Sequence, residues 1–250
     1  MMLRLIALLM LLALPAKAEE IVLGLSRDAV AITVTFQGSD IIVFGAVSRN
    51  APAPQDSELG VIVTIAGPDE PVTVRRKARR MGIWVNTDAV DVSAAPSFYA
   101  VATTAPITEI LRDVEDLRNR ITIPRAIRAV GATVPDSAAF TEALIRIKTD
   151  QNLYQMLEGA VQLDQDTLFR SAISLPATLT EGDYTAHIYL TRDGVVIDDY
   201  LTTIPVSKVG LERWLYNLAH TQAFLYGLMS LAIAAGAGWL ASAVFGMLRR

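Results

Sequence analysis

The C-terminal stretch AFLYGLMSLAIAAGAGWLASAVFGML, residues 223–248, decides the architecture because none of its residues is charged. At about 1.5 Å rise per residue, a helix of this length exceeds the ~30 Å hydrocarbon core of a bilayer. Aromatic residues toward both ends, such as Trp214, Phe224, Trp239 and Phe245, are typical of a membrane–water interface. The pattern predicts a transmembrane helix over residues 223–248.

The N-terminal stretch MMLRLIALLMLLALPAKA, residues 1–18, has the three parts of a secretory signal peptide. Arg4 supplies a positive charge, residues 5–14 form an apolar run, and Ala16 and Ala18 are small residues at a cleavage position. The apolar run is too short to span a bilayer as a helix. We expect cleavage after Ala18, and the alternative is an uncleaved anchor.

The two ends together predict a topology. A helix over residues 209–222 leads into the span, and the tail Arg249–Arg250 stays in the cytoplasm, in agreement with the positive-inside rule. The preceding region, about 200 residues, is then a periplasmic ectodomain large enough to hold its own core. It contains no cysteine, so disulfides are excluded. The formal net charge of -4 argues against nucleic acid as a partner.

The ectodomain reads as mainly β with a helical insertion. Residues 19–105 contain short alternating runs, such as Val30, Ile32, Val34 and Phe36, which predict half-buried strands. The turn Gln37–Asp40 predicts a hairpin with the next strand. Residues 166–208 return to β-type alternation, with Arg192-Asp193-Gly194 as a hairpin turn. We expect an immunoglobulin-like β-sandwich, either as one composite domain or as two small sandwiches joined by a helical bridge.

Residues 106–165 carry helical periodicity. A first helix over residues 107–121 and a second helix from about residue 136 are predicted, and a third helix follows Asp150 with Leu153, Tyr154 and Leu157 on its apolar side. The first helix is expected to bury one face, made by Ile107, Ile110, Leu111, Val114, Leu117 and Ile121.

The segment VRRKARRMGIWV, residues 74–85, concentrates positive charge in an acidic chain. The five cations are Arg75, Arg76, Lys77, Arg79 and Arg80. Valines before the cluster and Ile83-Trp84-Val85 after it place the charges at the end of a β-hairpin, with Trp84 expected as a buried anchor. Three uses fit: a charged edge that resists aggregation, a surface for lipid or an acidic partner, and a site for a small oxyanion.

The residues predict no catalytic, cofactor or metal site. His187 and His220 lie far apart in the chain and have no metal-ligand spacing around them. Without cysteine, no thiol nucleophile exists, and the chain has neither a GxSxG motif nor a Gly-rich phosphate loop. His187 fits a sheet histidine, and Asp198-Asp199 fit solvent-facing carboxylates. We therefore expect a protein that is not an enzyme.

The predicted span carries a row of small residues at four-residue spacing: Ser230, Ala234, Gly238, Ser242 and Gly246. Small residues at this spacing allow close approach of a second helix. The row predicts either self-association or packing against another membrane protein. The alternative is a chance pattern, because small residues are common throughout this span.

Four stretches resemble the family of alphaproteobacterial transmembrane proteins: RRKARRMGIWVN, PSFYAVATT, LYQMLEGAVQLDQDTLFRSAISLPATLTEGDYTAHIYL, and KVGLERWLYNLAHTQAFLYGLMSLAIAAGAGWLA. The resemblance implies a signal peptide, a single span and the inner membrane of a Gram-negative cell. It also implies a gene near a permease similar to sulfite or sulfonate exporters, and it supplies no catalytic residues. The expected function is that of a membrane-anchored periplasmic accessory protein with a permease-like partner. The alternative is an anion-binding module or sensor that uses residues 75–80.

Overall fold

The computed structural model describes residues 19–26, 29–32, 38–49, 57–128, 137–208 and 211–248. The predicted signal peptide, Gln37 of the predicted Gln37–Asp40 turn and the Arg249–Arg250 tail lie outside these residues. The strands are β1 (Glu19–Leu25), β2 (Val30–Ile32), β3 (Ser39–Arg49), β4 (Leu59–Ala66), β5 (Asp69–Arg80), β6 (Ile83–Pro96), β7 (Tyr99–Thr103), β8 (Tyr154–Leu157), β9 (Gln162–Asp164), β10 (Leu168–Leu175), β11 (Gly182–Arg192) and β12 (Val195–Lys208). The helices are α1 (Ile107–Ile110), α2 (Asp113–Asn119), α3 (Ile123–Ala126), α4 (Ser137–Asp150), α5 (Leu211–Thr221) and α6 (Ala223–Leu248).

The strands within the described residues form three sheets. One has the order β1-β3-β10-β9, the second has the order β2-β12-β11-β4-β7-β8, and the third is the hairpin β5-β6. Strands from before and after the helical segment share sheets, because β10 pairs with β3 and β11 pairs with β4, both antiparallel. The predicted hairpin of β2 with β3 is wrong, since these strands belong to different sheets.

The prediction of a mainly β chain with one apolar C-terminal helix is confirmed. The immunoglobulin-like sandwich stays a prediction. Burial follows the strand period of two in β10, where Phe169, Ser171, Ile173 and Leu175 are buried and the residues between them are exposed. Such a strand has one face on the core and one in solvent.

The central strand β4 is buried on both faces, with Val61 to Ile65 almost inaccessible. The helical segment packs against this sheet, and Gly60 is needed for the contact. A Cβ atom on Gly60 would lie 2.9 Å from the Cβ of Ile110 and 2.5 Å from Thr191 Oγ1. The absence of a side chain therefore lets α1 approach the sheet closely.

The predicted helix over residues 107–121 is interrupted. Arg112, between α1 and α2, adopts an extended conformation and donates its backbone N–H to the Gly194 carbonyl over 2.9 Å. The interruption changes the buried face: Ile110 and Ile121 are buried as predicted, but Val114 and Leu117 are 67% and 59% exposed. The hydrogen bond to the β11–β12 turn outcompetes the continuous helix that the periodicity suggested.

The third predicted helix is also wrong, because residues 154–157 form β8, parallel to β7. Tyr154 is buried, and its hydroxyl donates to the Pro96 carbonyl over 2.9 Å. Pairing with a strand more than fifty residues earlier decides the conformation, and a local helical pattern carries no information on such a partner.

A charged cluster connects the two larger sheets. The carboxylate of Glu19 in β1 accepts hydrogen bonds from Arg192 in β11, at 2.7 and 2.9 Å, and from Arg49 in β3, at 2.8 Å. Burial alone would raise the pKa of Glu19, but the hydrogen bonds from Arg192 and Arg49 bring it below the ordinary value. Nearby, Asp198 accepts the backbone N–H of Ile21 over 3.0 Å, so the first strand is tied to the second sheet by two carboxylates.

Candidate functional site

The predicted basic segment lies in the β5–β6 hairpin, whose two ends differ in burial. Near its base, Val74, Val90 and Val92 are buried. Helix α4 contacts this part, and the guanidinium of Arg76 lies 4.6 Å from the ring centroid of Phe140, a cation–π geometry. Arg76 therefore has a partner within the fold and marks where the supported part of the hairpin ends.

The hairpin closes with a two-residue turn. Arg80 pairs with Ile83, and Met81 and Gly82 between them both have positive φ, 49° and 88°. Two positive φ values indicate a type I′ turn, which favours Asn, Asp or Gly at its first position. Methionine at that position is unusual, because a bulky side chain is disfavoured in the left-handed region.

The cations divide between the two faces of the hairpin. Alternation places Arg75, Lys77 and Arg79 on one face, and Arg80 on the opposite face. All of the cations are exposed. Asp88 pairs in register with Arg76, and Asp91 accepts a 2.6 Å hydrogen bond from the Thr73 hydroxyl, so the acidic residues of β6 lie toward the base. The far end of the hairpin is left strongly positive.

Large apolar side chains share this far end. Met81 is fully exposed, Ile83 is 64% exposed, and Trp84 is 68% exposed. The prediction that Trp84 is a buried anchor is therefore wrong. Trp84 lies two residues beyond the turn, past the part of the hairpin that α4 covers, and strand alternation cannot show how far a hairpin extends beyond the core. We call the set Arg75, Lys77, Arg79, Arg80, Met81, Ile83 and Trp84 the hairpin tip.

The geometry of the hairpin tip is that of an open amphipathic surface. Successive cations on one face are two residues apart, or roughly 7 Å along the strand. Arg79 pairs in register with Trp84, so a cation and an aromatic ring share a face. An extended face of this kind suits contact with a broad anionic surface better than enclosure of a small oxyanion, which needs converging donors.

A second polar cluster, which the sequence did not reveal, lies on the β11–β12 hairpin. His187 Nε2 lies 2.8 Å from Asp199 Oδ2, and the Tyr189 hydroxyl lies 2.7 Å from His187 Nδ1. Burial raises the pKa of Tyr189, as does the nearby charge of Asp199. Both imidazole nitrogens therefore have protein partners within the sheet, and the sheet-histidine role of His187 stays a prediction. A β-bulge between Leu190 and Thr191 shifts the register of the hairpin, so that Tyr189 pairs with Asp199 and His187 lies on the same face. The predicted turn did not indicate this bulge, so no sequence signal joined residues 187 and 199.

Among the described residues, no three His, Asp or Glu side chains gather as a metal-binding group. The expectations of no metal, no cofactor and no catalysis stay predictions. Asp198 departs from the solvent-facing prediction, because it is 6% exposed and binds the Ile21 amide.

The C-terminal helix α6 is long and apolar enough to cross a membrane, by length and composition, over Ala223–Ser242. The predicted packing row lies along it: Ser230, Ala234, Gly238, Ser242 and Gly246. The Ser230 hydroxyl donates to the Tyr226 carbonyl of the preceding turn over 2.9 Å, which satisfies it within the helix. A Cβ atom on Gly238 would meet no atom within 4 Å. This backbone therefore has room for a neighbouring helix.

The family model described as "Putative transmembrane protein (Alph_Pro_TM)" matches residues 20–247. No curated protein has significant sequence similarity to the chain. Because the match covers nearly the whole sequence, the chain belongs to this transmembrane protein family. Family membership and the apolar helix α6 together support a membrane location.

Proposed function

We propose that this protein is a non-enzymatic interaction protein of the Gram-negative inner membrane, anchored by α6 and presenting its β-rich region to the periplasm. The observation that carries the proposal is the hairpin tip, where cations and large apolar side chains are exposed together. Isolated exposed apolar residues are ordinary, but a cluster of three beside four cations is typical of an interaction surface.

The fold supports this reading because the hairpin tip is dispensable for the core. The buried residues of the hairpin lie toward its base, where α4 packs. Met81, Ile83 and Trp84 contribute little burial, and contact with something outside the monomer explains large apolar side chains in these exposed positions. An open surface also favours this reading over the alternative of a small-anion sensor.

The partner proposed for the membrane helix is a second membrane protein, with a permease-like protein as the first candidate, or a second copy of this chain. The row of small residues supports close helix packing. Replacing Gly238 with Leu in the full-length protein should keep the span hydrophobic and block such packing. Loss of a detergent-stable complex in native electrophoresis is expected, with Gly236→Leu, off the row, as the matched control.

Protease accessibility tests the orientation. In spheroplasts, external protease should digest the β-rich region and leave a C-terminal tag protected, because Arg249–Arg250 are proposed to be cytoplasmic. Digestion of the tag with protection of the β-rich region would reverse the topology. N-terminal sequencing of the purified protein tests the proposed cleavage after Ala18, and a start at Met1 would instead support an uncleaved anchor.

A further inference from the structure

We propose that the hairpin tip binds the surface of an anionic lipid bilayer, with Met81, Ile83 and Trp84 entering the interface and the cations contacting lipid phosphates. This inference rests on the proposed function, since it names the class of surface that the hairpin tip recognises. Three features of the hairpin favour lipid as its partner: the order of its side chains, their charge, and the residue in the turn.

The order of side chains matches the layers of a bilayer surface. Met81 lies in the turn, and Ile83 and Trp84 follow it directly, level with their register partners Arg80 and Arg79. At about 3.4 Å per residue, Arg79 and Arg80 begin roughly 3–7 Å behind Met81, and Lys77 about 14 Å behind it. Interfacial segments bury their apolar side roughly 5–10 Å deep, so these cations would lie at the depth of the lipid phosphates.

The individual residue types fit the same environment. Tryptophan is enriched at membrane–water interfaces because its ring is amphipathic. Arginine and lysine extend apolar stems beside lipid while the charged group stays at the headgroup level. Trp84 and Arg79 pair in register and therefore share a face, which allows both to reach one interface. A pocket on an acidic protein would need no apolar turn residue with cations and apolar side chains paired directly behind it.

The turn supplies a separate observation. The β11–β12 hairpin has the same geometry, with Asp193 and Gly194 at positive φ values of 50° and 79°, and it uses the favoured aspartate. At the hairpin tip this position holds Met81, which is disfavoured in the left-handed region and completely exposed. Stability does not explain the choice of methionine. Insertion of an apolar apex into lipid does.

A merely charged edge is the competing reading. Charged edges prevent strand pairing through their polarity. Exposed Trp84, Ile83 and Met81 on the same hairpin would work against that purpose. The combination of charge and apolar apex therefore favours lipid binding over edge protection.

The test uses the full-length protein, which contains no cysteine and so accepts single labels. Met81→Cys and Asp193→Cys occupy the same position of the two type I′ turns, and each is labelled with an environment-sensitive NBD fluorophore. In one arm, the protein lies in nanodiscs that contain phosphatidylglycerol. In the other arm, it lies in phosphatidylcholine nanodiscs mixed with phosphatidylglycerol vesicles. Spin-labelled lipid in the anionic bilayer serves as the quencher.

The expected result is a blue shift and quenching of the label at position 81, with no change at position 193, in at least one arm. Unlabelled variants then dissect the binding in vesicle flotation. Each of Lys77→Gln, Arg79→Gln and Arg80→Gln should weaken binding about fivefold, whereas Arg75→Gln, about 20 Å behind Met81, should have a smaller effect. Added salt should also weaken it. Met81→Asn, which suits the turn, should reduce binding without lowering the melting temperature.

Identical behaviour of the two labels in both arms would overturn lipid binding. Equal insertion into phosphatidylcholine and phosphatidylglycerol bilayers would overturn the anionic specificity. Photo-crosslinking from position 84 in cells separates this failure from that of the proposed function. A protein adduct without lipid quenching would reject the lipid and keep an interaction protein, whereas the absence of both signals would reject both proposals.

Discussion

The β5–β6 and β11–β12 hairpins have the same turn geometry and opposite surroundings. Both close with two residues of positive φ. At the β11–β12 turn, Arg192 binds Glu19 and Ser57, and the Gly194 carbonyl accepts the Arg112 amide. At the β5–β6 turn, Met81, Ile83 and Trp84 are exposed beside cations. The end of the β11–β12 hairpin stabilises the fold, whereas the end of the β5–β6 hairpin is exposed and available for contact with a partner.

The contrast shows that turn geometry and side-chain role are separate. Glycine at the second turn position serves both hairpins, since both need a positive φ there. The residues around the turn differ in kind because one turn is embedded in a sheet of six strands and the other ends a sheet of two. Stability and function can thus be tested on matched positions.

The largest expected difference in unfolding free energy is between a variant in the buried core and a variant in the hairpin tip. Ile188→Ala in β11, where the side chain is fully buried, should cost about 2–5 kcal/mol of unfolding free energy. Trp84→Ala should change that free energy by only about 0.5 kcal/mol, because its ring is mostly exposed. Thermal melting of the full-length protein in detergent measures both. A large loss for Trp84→Ala would mean that the tip belongs to the core.

The next comparison concerns one arginine from each hairpin. Arg192→Ala leaves the Glu19 carboxylate nearly buried with Arg49 as its remaining partner, and should cost about 3 kcal/mol. Arg79→Ala removes an exposed charge and should alter stability by about 0.5 kcal/mol or less. Urea titration of the two variants gives the comparison. Equal losses would contradict the division between a structural and a free hairpin end.

A smaller effect should appear at acid pH. Because the pKa of Glu19 is lowered in the folded state, its contribution is complete above the ordinary value of 4.5 and is lost as the pH falls through 4.5 and then through the folded pKa. The melting temperature of the wild-type protein should therefore fall more steeply with acid than that of Glu19→Gln. If the melting temperatures of the two proteins changed in parallel with pH, the Glu19 carboxylate would contribute nothing to stability.

The smallest expected effect comes from exchanging the turn residues. Met81→Asn should stabilise the protein by about 0.5–1 kcal/mol, and Asp193→Met should destabilise it by about 1 kcal/mol, because the left-handed conformation favours Asn and Asp. Differential scanning calorimetry of each single variant should show a higher melting temperature for Met81→Asn and a lower one for Asp193→Met. Shifts of the same sign would show that contacts around the turns outweigh the backbone preference.

The sequence predicted the parts of this fold that depend on local pattern. Residues 223–248 lack charge over the length of a bilayer, and Arg192-Asp193-Gly194 has the composition of a tight turn, so both were recognisable. The basic cluster was likewise placed correctly at a hairpin end.

The failures depend on contacts between distant residues. Arg112 leaves the helical path to bond Gly194, and Tyr154 joins β7 instead of continuing a helix. The Glu19–Arg192 pair joins residues 173 positions apart, and no local pattern encodes that contact. Trp84 was misplaced for a related reason: alternation gives the faces of a strand, but not which part of a long hairpin the core covers.

The pairing of β3 with β10 sets the order in which the chain can fold during synthesis. Roughly 120 residues separate the end of β3 from the start of β10, so at ~5–20 residues per second the partner strand emerges roughly 6–24 s later. β4 waits similarly for β11. During that interval both strands present unpaired backbone groups, which invite pairing with other chains. The nascent polypeptide therefore exposes these strand edges until β10 and β11 have been made.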